Sequence, residues 1–447
     1  MLLSSIVSLF HVDILSIVMI SLVSFIGIVV SSFSINYMKG DALYRVFFLN
    51  IFALLVFVVV IAIADNIALF LCAWLCCNII LERLMVHKST WQAAKASGRL
   101  AIRNFIFGFL CIIFAIVIFY KTTESFSIQY IVHNSNDYWY TLMGLILLLI
   151  GAMTQSGIWP FHRWLISSLN SPTPVSAIMH AGIINGGGFL LARFAPLYLR
   201  YPIMLNIIFI LGLTSAILGS LWKLMQHDVK RMLACSTMGQ MGFMFLQFGL
   251  GFFASGVAHL FWHGIFKAYL FLASGSVAQE KRIYFGDYPS LICVLLSLAC
   301  GALGSYIFAK INHHHWFVLD ASLVIVGIVF IVGVQLSLTL LYRSCIKNIP
   351  QTIMMTVLMA TFYGTNVYLF DSILFPLHLM KPQPLTVLHL IALSLLGFVW
   401  LLMLYFRYSI SRGYLPNWLM FFYVTNLNSS QPHPETITSY RKGYDYV

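Results

Sequence analysis

Charge is what this chain lacks. Only 9% of its 447 residues are charged, and 13 acidic residues face 25 basic ones. An ordinary soluble domain carries roughly 25% charge, so a water-soluble fold is excluded. No Asp or Glu falls near the middle of any long apolar run, since Asp65, Glu82, Asp320 and Asp371 all sit at run ends. No Walker A loop, GxGxxG turn or haem-type CxxCH occurs, so ATP hydrolysis and redox cofactors have no visible home. The eight cysteines form no paired CxxC pattern. They read as small buried hydrophobes, with neither disulfides nor an iron–sulfur centre expected. The start, MLLSSIVSLFHVD, has no basic leader, so no removable signal peptide is expected.

Hydrophobic residues make up 61% of the chain. They fall into about thirteen runs of membrane-spanning length: 13–36, 43–64, 66–82, 101–120, 139–158, 175–198, 203–222, 232–249, 252–277, 290–309, 318–342, 349–370 and 385–406. The expectation is an all-α, polytopic membrane helix bundle over 1–415, followed by a short polar and aromatic tail at 416–447. The basic, mildly amphipathic stretch 84–100 should lie along a membrane face.

The formal net charge of +12 does not call for nucleic acid. With these spans, 19 Lys and Arg fall on one side and 5 on the other, leaving Lys267 within the membrane. The positive-inside rule makes the rich side cytoplasmic, with the N-terminus outside and the C-terminus inside a cell inner membrane.

Chemistry concentrates in the middle of the chain. In HLFWHGIFKAYLFLASG, His259, His263 and Lys267 are four residues apart. At about 100° per residue they share one helix face. A lysine inside a bilayer costs at least about 2.5–3.5 kcal/mol. Ten residues separate Lys267 from the expected span end, roughly 15 Å and too far to snorkel comfortably. The stripe reads as stations for a proton. His180, followed by Asn185 and Gly186–Gly188, is either packed or part of the same path. Gln155 precedes Pro160 by about a turn, and Pro172 and Pro174 follow. This is either a helix broken at membrane depth or an ordinary loop. Gln155 would then hydrogen-bond a water wire or cap freed carbonyls. Lys230, with Asp228 and Arg231, starts a span that carries Ser236, Thr237 and Gln240 inward, as a funnel or as a capped helix. Lys310 is a candidate station at the far face. The adjacent His313–His315 tract lacks a defined ligand geometry, so no metal site is expected.

TQSGIWPFHRWL, SPTPVSAIMHAG, DVKRMLACSTMGQMGF and AHLFWHGIFKAYLFLASG, in this order across about 150–280, resemble the antiporter-like subunits of respiratory complex I and of multi-subunit cation/proton antiporters. The resemblance implies inverted five-helix repeats with broken helices, and proton-path roles for His180, His259, His263 and Lys267. Two positions depart from it. Gln155 stands where the family pattern has lysine, and Trp74-Leu75 where complex I relatives have Trp-Glu. The missing glutamate, the length and the lack of a long lateral helix after the last span point to one branch, whose members usually keep the lysine at the position of Gln155. AWLCCNIILERLMVHKSTWQAAKAS and HAGIINGGGFLLARFAPL look like the DabB membrane subunits of DabA–DabB inorganic-carbon systems. That likeness implies conduction of H⁺ or Na⁺, no enzymatic activity or cofactor in this chain, and a peripheral cytoplasmic zinc partner resembling a β-carbonic anhydrase. A proton-pumping subunit of a complex I-like assembly and a non-conducting anchor are the alternatives.

Overall fold

The computed structural model describes residues 9–275, 289–313, 320–341, 348–413 and 416–437. Lys281, Arg282, His314, His315, Arg343, Cys345, Lys347, Arg441 and Lys442, which the topology and metal arguments used, lie outside the described residues. The described residues are overwhelmingly helical, and the only β pairing among them is a few isolated bridges. In chain order the helices are α1 Ile14–Tyr37, α2 Tyr44–Ile63, α3 Ile67–Met85, α4 Gln92–Thr123, α5 Ile128–Asn134, α6 Tyr138–Ser156, α7 Arg163–Ile166, α8 Thr173–Ile178, α9 Asn185–Arg193, α10 Ala195–Tyr198, α11 Pro202–Leu224, α12 Val229–Gly249, α13 Phe253–Leu272, α14 Leu291–Ile311, α15 Ser322–Leu341, α16 Ile349–Leu374, α17 Val387–Ser411 and α18 Asn417–Ser429.

Eleven helical segments are long and apolar enough to cross a membrane, α8 to α9 counting as one. Helices α12 and α13, at 21 and 20 residues, have spanning length too, although they carry Lys230, Arg231, His259, His263 and Lys267. Large apolar side chains such as Leu49, Phe52, Trp139 and Phe398 are exposed on helix faces, as lipid contact requires. Helix starts are set by short polar side chains. Asp13 and Ser16 form a reciprocal capping box on α1, and the Asn66 side chain accepts from Ala68 and Leu69 on α3.

The chain forms two compact units. The first draws its described residues from Met1–Gly249, His259–Glu280 and Asn426–Val447, the second from Leu250–Ala258 and Lys281–Thr425. The second unit packs α14 against α15 through Gly301, where a Cβ would sit 2.9 Å from the Phe330 carbonyl, and joins α15 to α16 by Ser337 and Thr356 hydroxyls 3.1 Å apart. Cys293 there is disulfide-bonded, which corrects the reading of every cysteine as a plain buried hydrophobe. It lies in the first turn of α14, at a helix end rather than in mid-span.

The first unit departs from expectation at 84–100. From Gln92 onward this stretch is the opening of α4, not a surface helix. Its small residues Ala93, Ala94, Ala96, Ser97 and Gly98 are buried, and a Cβ at Gly98 would meet Val86 Cγ2 at 2.2 Å. Helices α11 and α12 lie backbone to backbone. A Cβ would come within 2.4 Å of a facing backbone nitrogen at Gly212, Gly219, Gly242 and Gly249 alike. Such small-residue contacts replace the hydrophobic drive that lipid removes between helices. Part of the tail belongs to this unit as well. Asn170 Nδ2 donates to the Thr436 carbonyl at 2.8 Å, and the His433 N–H donates to Ser167 Oγ at 3.0 Å.

The α11–α12 contact sets where the polar residues of α12 point, so enlarging it should be costly. Gly219→Val is expected to destabilise the purified protein by about 1–3 kcal/mol in thermal unfolding. Gly397→Ala, whose Cβ meets nothing within 4 Å, should be neutral or slightly stabilising.

Candidate functional site

The break expected near Pro160 is a folded element. Helix α6 ends at Gly157, whose φ of 60° is open to glycine without strain. The Trp159–Pro160 bond is cis, one turn of helix follows as α7, and Pro172 and Pro174 start α8. Trp164, Leu165 and Ile166 are buried, so the segment runs through protein. Its backbone groups find side-chain partners. Trp164 Nε1 and Asn104 Nδ2 donate to the Thr154 carbonyl at 3.0 and 2.9 Å, and Ser97 Oγ donates to Ser167 O at 2.8 Å. Lys230 Nζ donates to Ser171 O at 3.0 Å. Lys230 therefore ties α12 to the break.

Between α8 and α9 the helix widens into a π turn, Met179–Ile183, closed by the Ile184 N–H on Met179 O at 3.1 Å. Such a turn inserts an extra residue and commonly marks a functional site. Glycines bring two helices close to it. A Cβ at Gly187 would lie 2.2 Å from the Ala152 carbonyl of α6, and one at Gly264 of α13 would lie 2.7 Å from Ala181 O. Ser156 Oγ donates to Ile184 O at 3.0 Å, and Gln155 Nε2 reaches Ile183 O at a long 3.5 Å. Gln155 thus leans toward a π-turn carbonyl without firmly capping it.

The π turn carries His180, which is 1% exposed and stacks on Phe271 at 4.3 Å between ring centres. Its Nδ1 lies 3.1 Å from Thr237 Oγ1. The Thr237 hydroxyl donates its one proton to the Leu233 carbonyl at 2.9 Å. Its oxygen is then the acceptor, so His180 Nδ1 carries a proton. Lys267 Nζ donates to the same Leu233 carbonyl at 3.1 Å. One hydrogen-bonded chain therefore joins His180, Thr237, Leu233 O and Lys267 across three helical segments.

The stripe on α13 forms as its spacing dictates. His259 and His263 rings stack at 6.0 Å with 15° between planes. The His259 ring hydrogen-bonds the backbone of Gln240, whereas neither nitrogen of His263 has a partner among the described residues. The α-helical part of α13 runs to Leu272 and a 3-10 turn continues it to residue 275, while the expected span end at 277 lies outside the described residues. Lys267 does not snorkel. The side chain is 1% exposed and turns onto the Leu233 carbonyl. Lys310 is exposed in the last turn of α14 and belongs to the second unit. No cluster of three or more potential metal ligands exists among the described residues.

Two features escaped the sequence. Arg193 pairs with Asp13, donates to Ser16 Oγ and Ala62 O at 2.9 Å each, and lies over Phe189. Arg193 and Asp13 are 180 residues apart, and no local pattern in the sequence announces that they meet. Asn78, mid-span on α3, is 2% exposed, and neither of its amide atoms has a hydrogen-bond partner.

Residues 64–295 match the transmembrane family described as NADH:quinone oxidoreductase/Mrp antiporter, and residues 5–48 match the N-terminus of complex I chain 5. The chain belongs to this antiporter-like membrane family and is a multi-pass membrane protein. It is 37% identical over 288 residues to the "Probable inorganic carbon transporter subunit DabB1" of Halothiobacillus neapolitanus, covering 62% of this chain and 51% of that protein. Identity is 34% over 281 residues with the corresponding DabB of Bacillus subtilis, covering 61% and 55%. With the chloroplastic NAD(P)H-quinone oxidoreductase subunit 5 of Digitalis grandiflora it is 33% over 288 residues, covering 62% and 41%. The matched region thus makes up about half the length of the DabB relatives. An Mrp complex structure from Dietzia sp. shares the fold, with TM-score 0.65 at 19% identity over 90% of this chain and 49% of that one.

Thr237 is the joint of the hydrogen-bonded chain. Thr237→Val leaves a buried His180 Nδ1–H unpaired and should cost about 1–3 kcal/mol in thermal unfolding. Thr237→Ser keeps the hydroxyl and should restore most of that loss.

Proposed function

We propose that this chain is the cation-conducting membrane subunit of an energy-coupled inorganic-carbon accumulation complex, moving H⁺ or Na⁺ through His180 and the His259–His263–Lys267 stripe. One observation carries the reading: the buried Lys267 ammonium shares a carbonyl with the Thr237 hydroxyl that holds His180. The shared carbonyl holds the ammonium and the imidazole in one hydrogen-bonded cluster, and both are groups that can release or take up a proton. The naming of the DabB relatives as inorganic-carbon transporter subunits supports the carbon-linked branch.

On this reading the face rich in Lys and Arg is cytoplasmic in a cell inner membrane, with the N-terminus outside. Lys230, at the start of α12, guides cations toward the break. Lys310 serves at the opposite face, and Gln155 lines the route with a neutral amide. The partner docks on the basic face as a DabA-like zinc protein resembling a β-carbonic anhydrase, and zinc chemistry belongs to it. Cation flux down its gradient drives a conformational or proton-removal step there.

A proton-translocating subunit of a complex I-like or multi-subunit antiporter assembly is the second reading. The chloroplastic relative favours it, and the neutral Gln155 and Leu75 argue against it. Co-purifying iron–sulfur subunits would decide for it.

Lys267→Ala tests conduction. Cation flux in membranes carrying the assembled complex should fall by on the order of tenfold or more, and growth in air of a host lacking carbonic anhydrase should be lost. Unchanged growth and flux with intact assembly would instead identify a passive membrane anchor.

A further inference from the structure

A cavity lies in the first unit between α3, α6 and the π turn, walled by Trp74, Asn78, Gln155, Gly182 and Gly186 with apolar residues of α1 and α2 around them. Its free volume is about 40 Å³, and a buried water needs about 10–15 Å³ on the same measure, so two or three waters fit. Asn78 supplies the polar partners. Both its amide atoms are buried and unpaired, and an amide left so is among the costlier arrangements a protein interior can hold. Gln155, with its long 3.5 Å contact to Ile183 O, adds a second amide. Gly182 shapes the wall. A Cβ there would meet nothing within 4 Å, so the missing side chain serves no packing contact.

We infer that this cavity is a hydration site, in which Asn78 and Gln155 hold two or three water molecules on the proton path. Its lining has amides but no carboxylate. Water suits it better than a bare metal cation, which needs charge or several converging oxygens. The π turn separates the waters from the His180–Thr237 chain, and Gly182 and His180 belong to that one turn. Waters held by the two amides can carry a proton along their own hydrogen bonds, whereas an apolar void cannot. The inference rests on the conducting reading for its purpose, but not for its existence.

The test uses the full chain in lipid vesicles. X-ray radiolytic labelling marks buried side chains that touch bound water, and Met19 and Trp74 line this cavity at 4% and 3% exposure. Both should be labelled in the native chain, and at least about fivefold less in Asn78→Leu, which removes the polar partners. Gly182→Ala guards against a folding artefact. Its methyl clashes with nothing but takes up water space, so it too should lower labelling and proton flux. No labelling of Met19 and Trp74 in the native chain, or equal labelling in Asn78→Leu, overturns the site. Asn78-dependent labelling with unchanged flux removes it from the proton path. Asn78-dependent labelling in a chain that carries no native flux supports the hydration site and defeats the conducting reading instead.

Discussion

The Leu233 carbonyl is the constraint on which the rest of the arrangement depends. It accepts the Thr237 hydroxyl and the Lys267 ammonium together. A buried ammonium needs several acceptors or a polar neighbourhood, because desolvation otherwise outweighs its local contacts. No carboxylate approaches Lys267 within ion-pairing distance among the described residues. The acceptor that Lys267 has is a backbone carbonyl, and the same oxygen holds the Thr237 hydroxyl that meets His180.

Holding three helical segments at one carbonyl requires close backbones, and glycine supplies them. The α11–α12 contacts at Gly212, Gly219, Gly242 and Gly249 fix the depth and rotation of α12, hence of Leu233 and Thr237. Gly264 lets α13 pass against Ala181 O, and Gly187 lets α9 lie on α6. Between them, the π turn offers a widened stretch of backbone where an imidazole on one wall and a cavity on another come from the same five residues. Hydrogen-bond networks in a low-dielectric interior strengthen one another, which favours a few fully engaged groups over many partial ones.

The parts that sequence made legible are those with a period. Thirteen apolar runs became helices of spanning length, and three residues at four-residue spacing formed one stripe because helix geometry leaves them no alternative. Pro160, Pro172 and Pro174 left a broken helix and an ordinary loop both open, and the chain between α6 and α8 is a folded segment with Trp164, Leu165 and Ile166 buried. Pairings across the fold were not legible. Thr237 meets His180 from 57 residues away, and Asp13 meets Arg193 from 180. Neither has a local signal. Asn78 was hidden by neutrality, since an uncharged amide in an apolar run looks unremarkable until both of its atoms prove unpaired.

The central claim is that His180 and Lys267 act as one unit through Thr237. A double-mutant cycle on cation flux in vesicles measures this directly, using His180→Ala, Lys267→Ala and the pair. If the two are joined, the double variant should lose little more than the worse single one, with a coupling of about 0.5–3 kcal/mol in the activation free energy. Losses that simply multiply, as for independent sites, would contradict the account.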